Sequence, residues 1–336
     1  MRASCSASNS GAKIYDYIII GAGPAGCFCG IGLKSAGKSV LIIEKNSADY
    51  GKVCGDGLSR NCVSLLKKLN FPVKRFEQAG AAVIHKRVII RNGINEVTHF
   101  GFDDGAVSYG IPRHKTNLIF RNYAEEKGVE IAYNVEVTDI YRTGKLFSVS
   151  GRLAKKIVVA CGSFSRLNIL GKALKYNTMN MAVGISATIS CQCDTEPCFL
   201  SYYDDKYKGQ YAWIFKTDAD NWNVGLWLRE DRDRLREYFT EFLEEKLPQY
   251  FGIAFSLLSP PKGAIMAVKR DGIKSNPVAR PKIKGVYYIG DVDMTSNEQD
   301  GEGICQAIMS GLILSDWLTK SNNMRALLVK QEYGNN

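Results

Sequence analysis

Residues 14–26 read IYDYIIIGAGPAG, and this stretch decides the fold. Its first seven residues form a β-branched and aromatic run that is typical of a buried parallel strand. Gly21, Gly23 and Gly26 then follow in the pattern G-x-G-x-x-G, and an apolar helical stretch continues to about Gly37. The first glycine permits a tight turn, the second lets a diphosphate approach the backbone, and the third lets the helix pack closely on the strand. The stretch predicts a dinucleotide-binding strand–turn–helix unit.

A second predicted strand completes this unit as a βαβ motif. It lies in residues 38–45, KSVLIIEK, and it places Glu44 18 residues after Gly26. A carboxylate there can accept hydrogen bonds from a ribose with a free 2′-hydroxyl, which favours FAD or NAD over NADP. The helix N-terminus would supply amide donors to the diphosphate. The predicted cofactor-binding residues of this unit are Gly21, Gly23, Pro24, Ala25, Gly26, Glu44 and Lys45.

The far end of the chain distinguishes FAD from NAD. Residues 286–294 read VYYIGDVDM, a predicted buried strand that ends on Gly290 and Asp291, and residues 301–304 read GEGI at the start of a predicted helix. Asp291 would suit a ribityl hydroxyl. The amides of the GEGI turn would face the pyrimidine edge of a flavin, where a helix N-terminus stabilises negative charge. The plainer alternative is a strand-end turn followed by a helix cap.

Composition and charge indicate an ordinary globular protein. The chain has 336 residues and a formal charge of +10, spread along the sequence and without a nucleic-acid-binding motif. A solvated basic surface is the simple interpretation, and a phosphorylated or membrane-surface substrate is the alternative. The sequence shows neither a bilayer-length apolar run nor a secretory signal. We therefore expect a cytoplasmic location, with peripheral membrane association as an open alternative, and no nucleic-acid partner.

The ten cysteines favour reduced thiols over a disulfide framework, because they are scattered along a large chain. Cys191, Cys193 and Cys198 form C-x-C-x4-C, which could supply three metal ligands, but no fourth ligand is evident nearby. The three histidines, His85, His99 and His114, do not have metal-ligand spacing. We predict no metal site.

The order of elements predicts a nucleotide domain built from separated segments. Two alternating runs in residues 86–100 are joined by Asn92-Gly93, which predicts an antiparallel hairpin. Strand-rich stretches follow between residues 178 and 228, and a charged helix is predicted from about Glu230 to Lys246. The predicted segments are a disordered tail over 1–13, an FAD-binding domain over 14–75, 106–172 and 275–336, and a substrate domain over 76–105 and 173–274.

Four ordered motifs resemble the geranylgeranyl reductase family. GAGPAG with Glu44 is followed by a K-x-C-G-x-G loop, then by an aromatic strand and the GD…N…GEGI segment. The matching residues are Lys52, Cys54, Gly55 and Gly57 in the loop; Tyr211, Trp213, Phe215 and Lys216 in the strand; and Gly290, Asp291, Asn297, Gly301, Glu302, Gly303 and Ile304 in the last segment. The resemblance implies an α/β fold of the p-hydroxybenzoate hydroxylase and glutathione reductase type, with an FAD-binding Rossmann-like domain and an inserted antiparallel-sheet substrate domain.

The same resemblance implies hydride transfer from flavin N5 to a C=C bond of a prenyl or related hydrophobic substrate. It assigns catalytic roles to Cys54, Tyr211 and Trp213, and a substrate pocket to Tyr211, Trp213, Phe215 and Glu298. Its cofactor residues are Lys52, Cys54, Gly55, Arg113, Gly162, Gly290, Asp291, Gly301, Gly303 and Ile304. Electrons would come from NAD(P)H or from a docking ferredoxin, and we expect a monomer.

Three departures and two competing interpretations stand beside this resemblance. The family proline after Phe215 is missing, Glu298 replaces another proline, and Cys161 replaces an aspartate of the A-D-G-x-x-S loop. The aromatic strand could be ordinary sheet core, and Cys54 could be a packing residue. The fold also supports monooxygenases and halogenases that act on small aromatic or natural-product substrates, and a flavin- or lipid-binding protein without turnover is a third possibility.

Overall fold

The computed structural model describes residues 13–101, 107–174, 181–191, 196–251, 255–268, 283–293, 296 and 301–320. Twenty strands lie in these ranges. In chain order they are β1 Ile14–Ile20, β2 Val40–Ile43, β3 Gly57–Leu58, β4 Ala82–Ile84, β5 Lys86–Arg91, β6 Ile94–His99, β7 Ser108–Gly110, β8 Glu130–Ala132, β9 Asp139–Thr143, β10 Leu146–Val149, β11 Arg152–Val159, β12 Asn168–Ile169, β13 Lys172–Ala173, β14 Met181–Ser190, β15 Phe199–Tyr203, β16 Tyr211–Lys216, β17 Asn221–Leu228, β18 Ser256–Leu257, β19 Lys262–Ala267 and β20 Val286–Tyr288.

Seven α-helices accompany these strands. They are α1 Pro24–Ser35, α2 Arg60–Lys68, α3 Lys74–Gln78, α4 Arg113–Glu126, α5 Leu235–Glu241, α6 Leu247–Phe251 and α7 Ile304–Thr319. Among the described residues, no helix is both long enough and apolar enough to cross a bilayer.

A nine-stranded sheet contains the predicted βαβ unit. Strands β8, β2, β1, β11 and β20 are parallel neighbours in that order. The sheet also continues from β11 through β10, β9, β12 and β13. Alternate residues of β1 contact two different cores: Tyr17 and Ile19 pack with α1, α4 and α7, whereas Ile18 and Ile20 pack on the opposite face. Because both faces of β1 are buried, its sequence is a continuous apolar run rather than an alternating one.

An eight-stranded sheet forms the second layer. Its order is β18–β14–β17–β16–β15–β5–β6, with β19 also paired to β14. The predicted hairpin is present as β5 and β6, and Asn92 and Gly93 take φ angles of +51° and +76° between them. A third sheet has the order β3–β7–β4, and its strand β3 begins at Gly57 of the K-x-C-G-x-G loop. The proposed segment boundaries of the two domains remain a prediction.

The structure differs from the sequence-based prediction at two helices. The charged helix expected from Glu230 to Lys246 is divided into a 3-10 turn at Arg232–Arg234, helix α5, a π-helical turn at Phe242–Lys246, and α6. Helix α2 is absent from the sequence-based prediction. The sequence does carry a helix signal there, because Ser59 is a capping residue and the apolar residues Cys62, Val63, Leu65 and Leu66 share one buried face. This helix brings the end of the K-x-C-G-x-G loop against α7.

Candidate active site

Two of the three motif glycines allow close backbone approaches, Gly26 to Gly21 and Gly21 to Ala160. A Cβ atom at Gly26 would lie 2.0 Å from the carbonyl oxygen of Gly21, and one at Gly21 would lie 2.4 Å from the carbonyl oxygen of Ala160. Neither contact is possible for a real side chain. A Cβ at Gly23 would instead meet no atom within 4 Å. There is therefore no room for a side chain at Gly21 or Gly26, whereas open space lies beside Gly23.

Glu44 is buried at the carboxyl end of β2, and the protein itself already binds its two carboxylate oxygens. Oε2 accepts the backbone N–H of Ala22 at 2.8 Å, and Oε1 accepts both the backbone and the side-chain N–H of Asn46, at 3.0 and 2.9 Å. The guanidinium of Arg121 lies 3.8 Å from Oε2. Each carboxylate oxygen has more than one acceptor direction, so these bonds orient the group for further donors.

Arg121 is a site residue that no sequence motif indicates. Only 2% of it is exposed, and it donates to the carbonyl oxygens of Ala22 at 3.0 Å and of Ala48 at 2.6 Å. It therefore ties α4 to both the G-x-G-x-x-G turn and the loop after β2. Nothing in the local sequence distinguishes this arginine from the exposed basic residues of an amphipathic helix.

Lys52 and Asp291 are joined by an ion pair across 239 residues of sequence. Lys52 Nζ lies 2.8 Å from Asp291 Oδ2, which also accepts the Ser163 hydroxyl at 3.0 Å, and Ser296 donates to Oδ1 at 2.9 Å. Burial acts to raise the pKa of Asp291, but the charge of Lys52 and these hydrogen bonds together hold the pKa below its ordinary value. The predicted cofactor residues Lys52 and Asp291 thus meet at one point, beside Ser163 of the loop after β11.

This ion pair leads to a testable prediction. Because the pKa of Asp291 is lowered in the folded protein, its ionised form adds stability above the ordinary pKa of 3.8, and that stability is lost as the pH falls through the folded value. We expect Lys52→Met to lower the free energy of unfolding by about 1 kcal/mol at pH 7, since the Lys52 side chain is 39% exposed and partly screened. Urea unfolding from pH 7 to pH 3 measures it. The difference in unfolding free energy between wild type and Lys52→Met should shrink as the pH falls. A difference that is independent of pH would contradict the stabilisation of ionised Asp291 by Lys52. Lys45→Met, at an exposed lysine, is the control.

The K-x-C-G-x-G loop packs directly on the aromatic strand β16. A Cβ at Gly55 would lie 3.2 Å from Trp213 Nε1, and one at Gly57 would lie 3.2 Å from the ring of Phe199 and 3.5 Å from that of Phe215. The two glycines therefore allow the loop backbone to approach the face of the second sheet. This contact supplies a structural reason for both glycines in the motif.

Asp56, between these glycines, is the residue that holds the loop in place. It has a φ of +60°, and its Oδ1 accepts the backbone N–H of Arg113 at 2.8 Å. Its Oδ2 accepts Asn223 Nδ2 at 2.7 Å. Burial raises the pKa of Asp56 to about 6, in spite of the hydrogen bonds from Asn223 and Arg113 and the positive charge of Arg113, all of which lower it. No motif in the sequence indicates Asp56, because its partners lie far away along the chain.

Cys54 is held by the same network. Asn223 Nδ2 donates to the Cys54 carbonyl oxygen at 3.0 Å, and Asn223 Oδ1 accepts the indole N–H of Trp213 at 2.7 Å. Arg113 Nη1 approaches Cys54 Sγ at 3.7 Å, within range of a weak hydrogen bond to sulfur. The predicted site residues Cys54, Arg113 and Trp213 are therefore brought together, through Asp56 and Asn223.

The aromatic residues of β16 share one face of the second sheet, as their alternation predicts. Tyr211 and Trp213 are 8% exposed, and together with Ala182, Trp227 and Val268 they form a small apolar cluster. Phe215 is partly buried against this cluster, and its ring centroid lies 6.3 Å from that of Trp213. The opposite face of the sheet packs on α5 and α6. The cluster is thus separate from the main core of its own sheet.

The start of α7 lies next to Asp291. Gly301 takes a φ of +68°, and a Cβ at Gly303 would lie 2.9 Å from the Ser296 hydroxyl and 3.8 Å from Asp291 Oδ1. Within the described part of the chain, no side chain caps the helix at Gly303. Glu302 hydrogen-bonds with the Ser59 hydroxyl, so the N-termini of α2 and α7 are linked.

Some predicted residues lie away from these contacts or outside the described ranges. Lys45 is exposed beyond β2, and Gly162 takes a φ of +80° with open space at its Cβ position. Glu298, Asn297 and Cys193 lie outside the described residues. Cys191 and Cys198 are buried, and the described residues contain no group of three potential metal ligands.

A family model described as an FAD binding domain matches residues 15–154. The chain carries an FAD-binding domain. The match begins in β1, includes the G-x-G-x-x-G turn, Glu44, the Cys54 loop and α4, and ends in β11. FAD is therefore the cofactor, as the motifs predicted.

Two curated relatives extend the likeness beyond the FAD-binding domain. Digeranylgeranylglycerophospholipid reductase 1 of Methanococcoides burtonii is 24% identical over 318 residues, covering 89% of this chain and 72% of the relative. Menaquinone reductase of Mycolicibacterium smegmatis is 24% identical over 334 residues, covering 90% of this chain and 76% of the relative. They support the class of FAD-dependent oxidoreductases and confirm the resemblance to geranylgeranyl reductases.

Solved structures confirm the flavoprotein fold. A geranylgeranyl bacteriochlorophyll reductase-like protein from Thermoplasma acidophilum superposes with a TM-score of 0.75 at 17% identity, covering 96% of this chain and 84% of that one. The flavin-dependent brominase Bmp2 superposes with a TM-score of 0.70 at 20% identity, covering 92% of this chain and 79% of that one. The fold is shared by reductases and halogenases, so the reaction has to be argued from the residues.

The residues present fit FAD. The N-terminus of α1 has no side-chain cap in the described structure, and open space lies beside Gly23, where a diphosphate would approach the backbone. Glu44 would hold the ribose hydroxyls. The uncapped N-terminus of α7, beside Gly301, would supply the second set of backbone donors. Helices α1 and α7 pack against one another, with Gly311 of α7 against the backbone of Ala25 in the first turn of α1.

Proposed function

We propose that this protein reduces C=C bonds of a prenyl or related hydrophobic substrate. The observation that carries the proposal is the contact between the Cys54 loop and β16. That contact brings together a thiol, a guanidinium and an aromatic wall, and Lys52 of the same loop pairs with Asp291. The names of the two curated relatives, a digeranylgeranylglycerophospholipid reductase and a menaquinone reductase, support a hydrophobic lipid or quinone substrate.

FAD, when bound, supplies the hydride for this reduction. The protein must then provide a dry environment and a proton for the second carbon. Tyr211, Trp213 and Phe215 provide apolar surface that excludes water from the alkene. Cys54 is the proposed proton donor, and the N–H of Arg113 that points at its sulfur would stabilise the negative charge left there.

Mass spectrometry under anaerobic conditions tests the proposal. Protein reduced with dithionite is mixed with prenyl lipids or with a prenylated quinone. A gain of two hydrogens per reduced double bond is the expected result. Reoxidation of the flavin without any mass gain in these substrates would sink the proposed reaction while leaving the assignment of FAD intact.

Replacement of Cys54 distinguishes a catalytic role of its thiol from a packing role. We expect Cys54→Ser to lower the turnover roughly 100-fold or more, in the range typical of a lost proton donor, with normal FAD content and an unchanged visible spectrum. Single-turnover reoxidation of the reduced protein by substrate measures the effect. Cys62→Ser is the matched control for loss of a thiol, because Cys62 is buried on α2 against Cys305. Equal turnover of wild type and Cys54→Ser would assign Cys54 a packing role.

The electron donor is proposed as NAD(P)H or a reduced ferredoxin. Only one dinucleotide-binding fingerprint is present in the sequence, so a nicotinamide would dock transiently, and the charge of +10 would favour an acidic protein donor. Anaerobic titration of the oxidised protein with NADH, NADPH and reduced ferredoxin distinguishes them. Rapid bleaching of the flavin by NADPH alone would rule against the protein donor.

The alternative is an FAD-dependent monooxygenase or a halogenase-like enzyme that acts on a small aromatic or natural-product substrate. Its support is the fold shared with the brominase. Oxygen consumption coupled to substrate oxidation would decide in its favour. The W-x-W-x-I-P strand of halogenases is absent from the sequence, and YAWIFK occupies the comparable place.

A further inference from the structure

Trp227, on β17, carries a buried hydrogen-bond donor without an acceptor. Only 2% of the residue is exposed, and its indole nitrogen Nε1 has no hydrogen-bond partner in the described structure. A buried N–H that has given up water without gaining a partner is costly and uncommon in folded proteins. Where such a donor also borders a candidate ligand site, a bound molecule can complete the bond.

The nitrogen edge of this indole faces the start of α7. A Cβ at Gly301 would lie 3.7 Å from Cε2 and 3.9 Å from Cζ2 of Trp227, and Cε2 is bonded directly to the nitrogen. Gly301 has a φ of +68° and opens the G-E-G-I turn. The unpaired donor is thus at the junction between the cofactor half of the site and the aromatic cluster.

The aromatic and uncharged surroundings of Trp227 favour an uncharged aromatic ligand. Its ring meets Tyr211 edge-to-face, with centroids 5.9 Å apart and planes at 86°, and the cluster also contains Trp213, Val268 and Ala182, none of which is charged. The indole N–H of Trp213 is already bonded to Asn223. A flat conjugated ring with a neutral oxygen acceptor would satisfy both the aromatic walls and the unpaired N–H.

We propose that Trp227 Nε1–H donates a hydrogen bond to a carbonyl oxygen of a bound conjugated ring. This deepens the proposed function, on which it rests for the substrate, because it calls for a substrate whose reactive end bears a conjugated carbonyl, such as a quinone ring, rather than a hydrocarbon chain alone. The isoalloxazine of FAD also carries carbonyl oxygens and is the second source of the same chemistry. The two sources predict different results.

The test compares Trp227→Phe with Trp222→Phe in the FAD-bound protein. Trp222 lies on the same strand and also has a buried, unpartnered indole N–H, but it packs in the opposite core against Phe251. Each variant keeps an aromatic ring and loses the N–H. Binding of menadione and of geranylgeraniol to the oxidised protein is measured by flavin fluorescence, together with the dissociation constant of FAD and the flavin midpoint potential.

If the substrate supplies the carbonyl, Trp227→Phe weakens menadione binding roughly five- to tenfold and leaves geranylgeraniol binding unchanged. If the flavin supplies it, the same variant weakens FAD binding by a similar factor and shifts the midpoint potential. Trp222→Phe does neither. Identical behaviour of the two variants in all four measurements would overturn the proposal.

A measurement on the wild-type protein tests the proposal without depending on whether the variants fold. With 15N-labelled tryptophan, the Trp227 indole N–H resonance is expected to move downfield when FAD or menadione binds. A resonance that stays in place with both ligands present contradicts the proposal. These measurements follow binding rather than turnover, so they remain informative if the protein reduces no C=C bond.

Discussion

A Gly23→Ala variant is expected to fold normally and to lose its affinity for FAD. The new methyl group would meet no protein atom within 4 Å, so the apoprotein has no steric reason to change. It would instead occupy the space that a diphosphate needs beside the N-terminus of α1. Overpacking of this kind costs about 1–3 kcal/mol, which corresponds to roughly 5- to 150-fold weaker FAD binding.

Gly26→Ala is the matched comparison, because its effect should fall on the fold itself. Its methyl group would lie 2.0 Å from the carbonyl oxygen of Gly21, a backbone atom that cannot rotate away. We expect the apoprotein to lose about 3 kcal/mol of unfolding free energy. Urea unfolding of the two deflavinated variants, followed by FAD titration, separates the effects. A Gly23→Ala apoprotein that is as unstable as Gly26→Ala would show that the space beside Gly23 is not a ligand site.

The second large effect concerns Asp56 and has a defined direction with pH. The pKa of Asp56 is raised from its ordinary 3.8 to about 6 in the folded protein, so the folded state binds the proton more tightly than the unfolded state does. The stability that protonation adds is fully present below pH 3.8 and is lost as the pH rises through 6. A shift of this size corresponds to about 3 kcal/mol between the two limits.

Asp56→Asn removes this titration. An asparagine has one oxygen where the carboxylate has two, so one of the donors from Arg113 and Asn223 would face an N–H, and the variant starts with a penalty of its own. The informative quantity is therefore the difference in unfolding free energy between wild type and variant as a function of pH. We expect the wild type to lose about 2 kcal/mol relative to Asp56→Asn between pH 4 and pH 7.

Urea unfolding at half-unit pH intervals measures this difference in the deflavinated protein. Asp49→Asn is a suitable control, because Asp49 is exposed and the pKa of its carboxyl is lowered through Ser47 rather than raised by burial. A constant difference between wild type and Asp56→Asn over the whole range would show that Asp56 does not titrate near pH 6.

Much of the cofactor half of the site could be predicted from sequence, because its determinants are local. The strand β1, the glycine turn and Glu44 lie within one βαβ unit, where a continuous apolar run and fixed glycine spacing have direct structural meanings. The Asn92-Gly93 hairpin was predicted for the same reason. In each case neighbouring residues alone determine the backbone path.

The other half depends on contacts between distant parts of the chain. Asp56 and Asn223 are 167 residues apart, and Lys52 and Asp291 are 239 apart. The sequence identified Cys54 and Trp213 as separate motif residues but gave no sign of the polar side chains that connect them. Periodicity reports which face of an element is buried, and it carries no information about which hydrogen bonds form between elements.

The close contact of α1 with α7 has a consequence for how the protein is made. A Cβ at Gly311 would lie 2.3 Å from the carbonyl oxygen of Ala25, so the two helices touch backbone to backbone across nearly the whole length of the sequence. A ribosome that adds about 5–20 residues per second would release α1 tens of seconds before α7. During that interval the nascent chain displays the glycine turn without the helix that packs on α1, so stable capture of FAD must await the synthesis of α7.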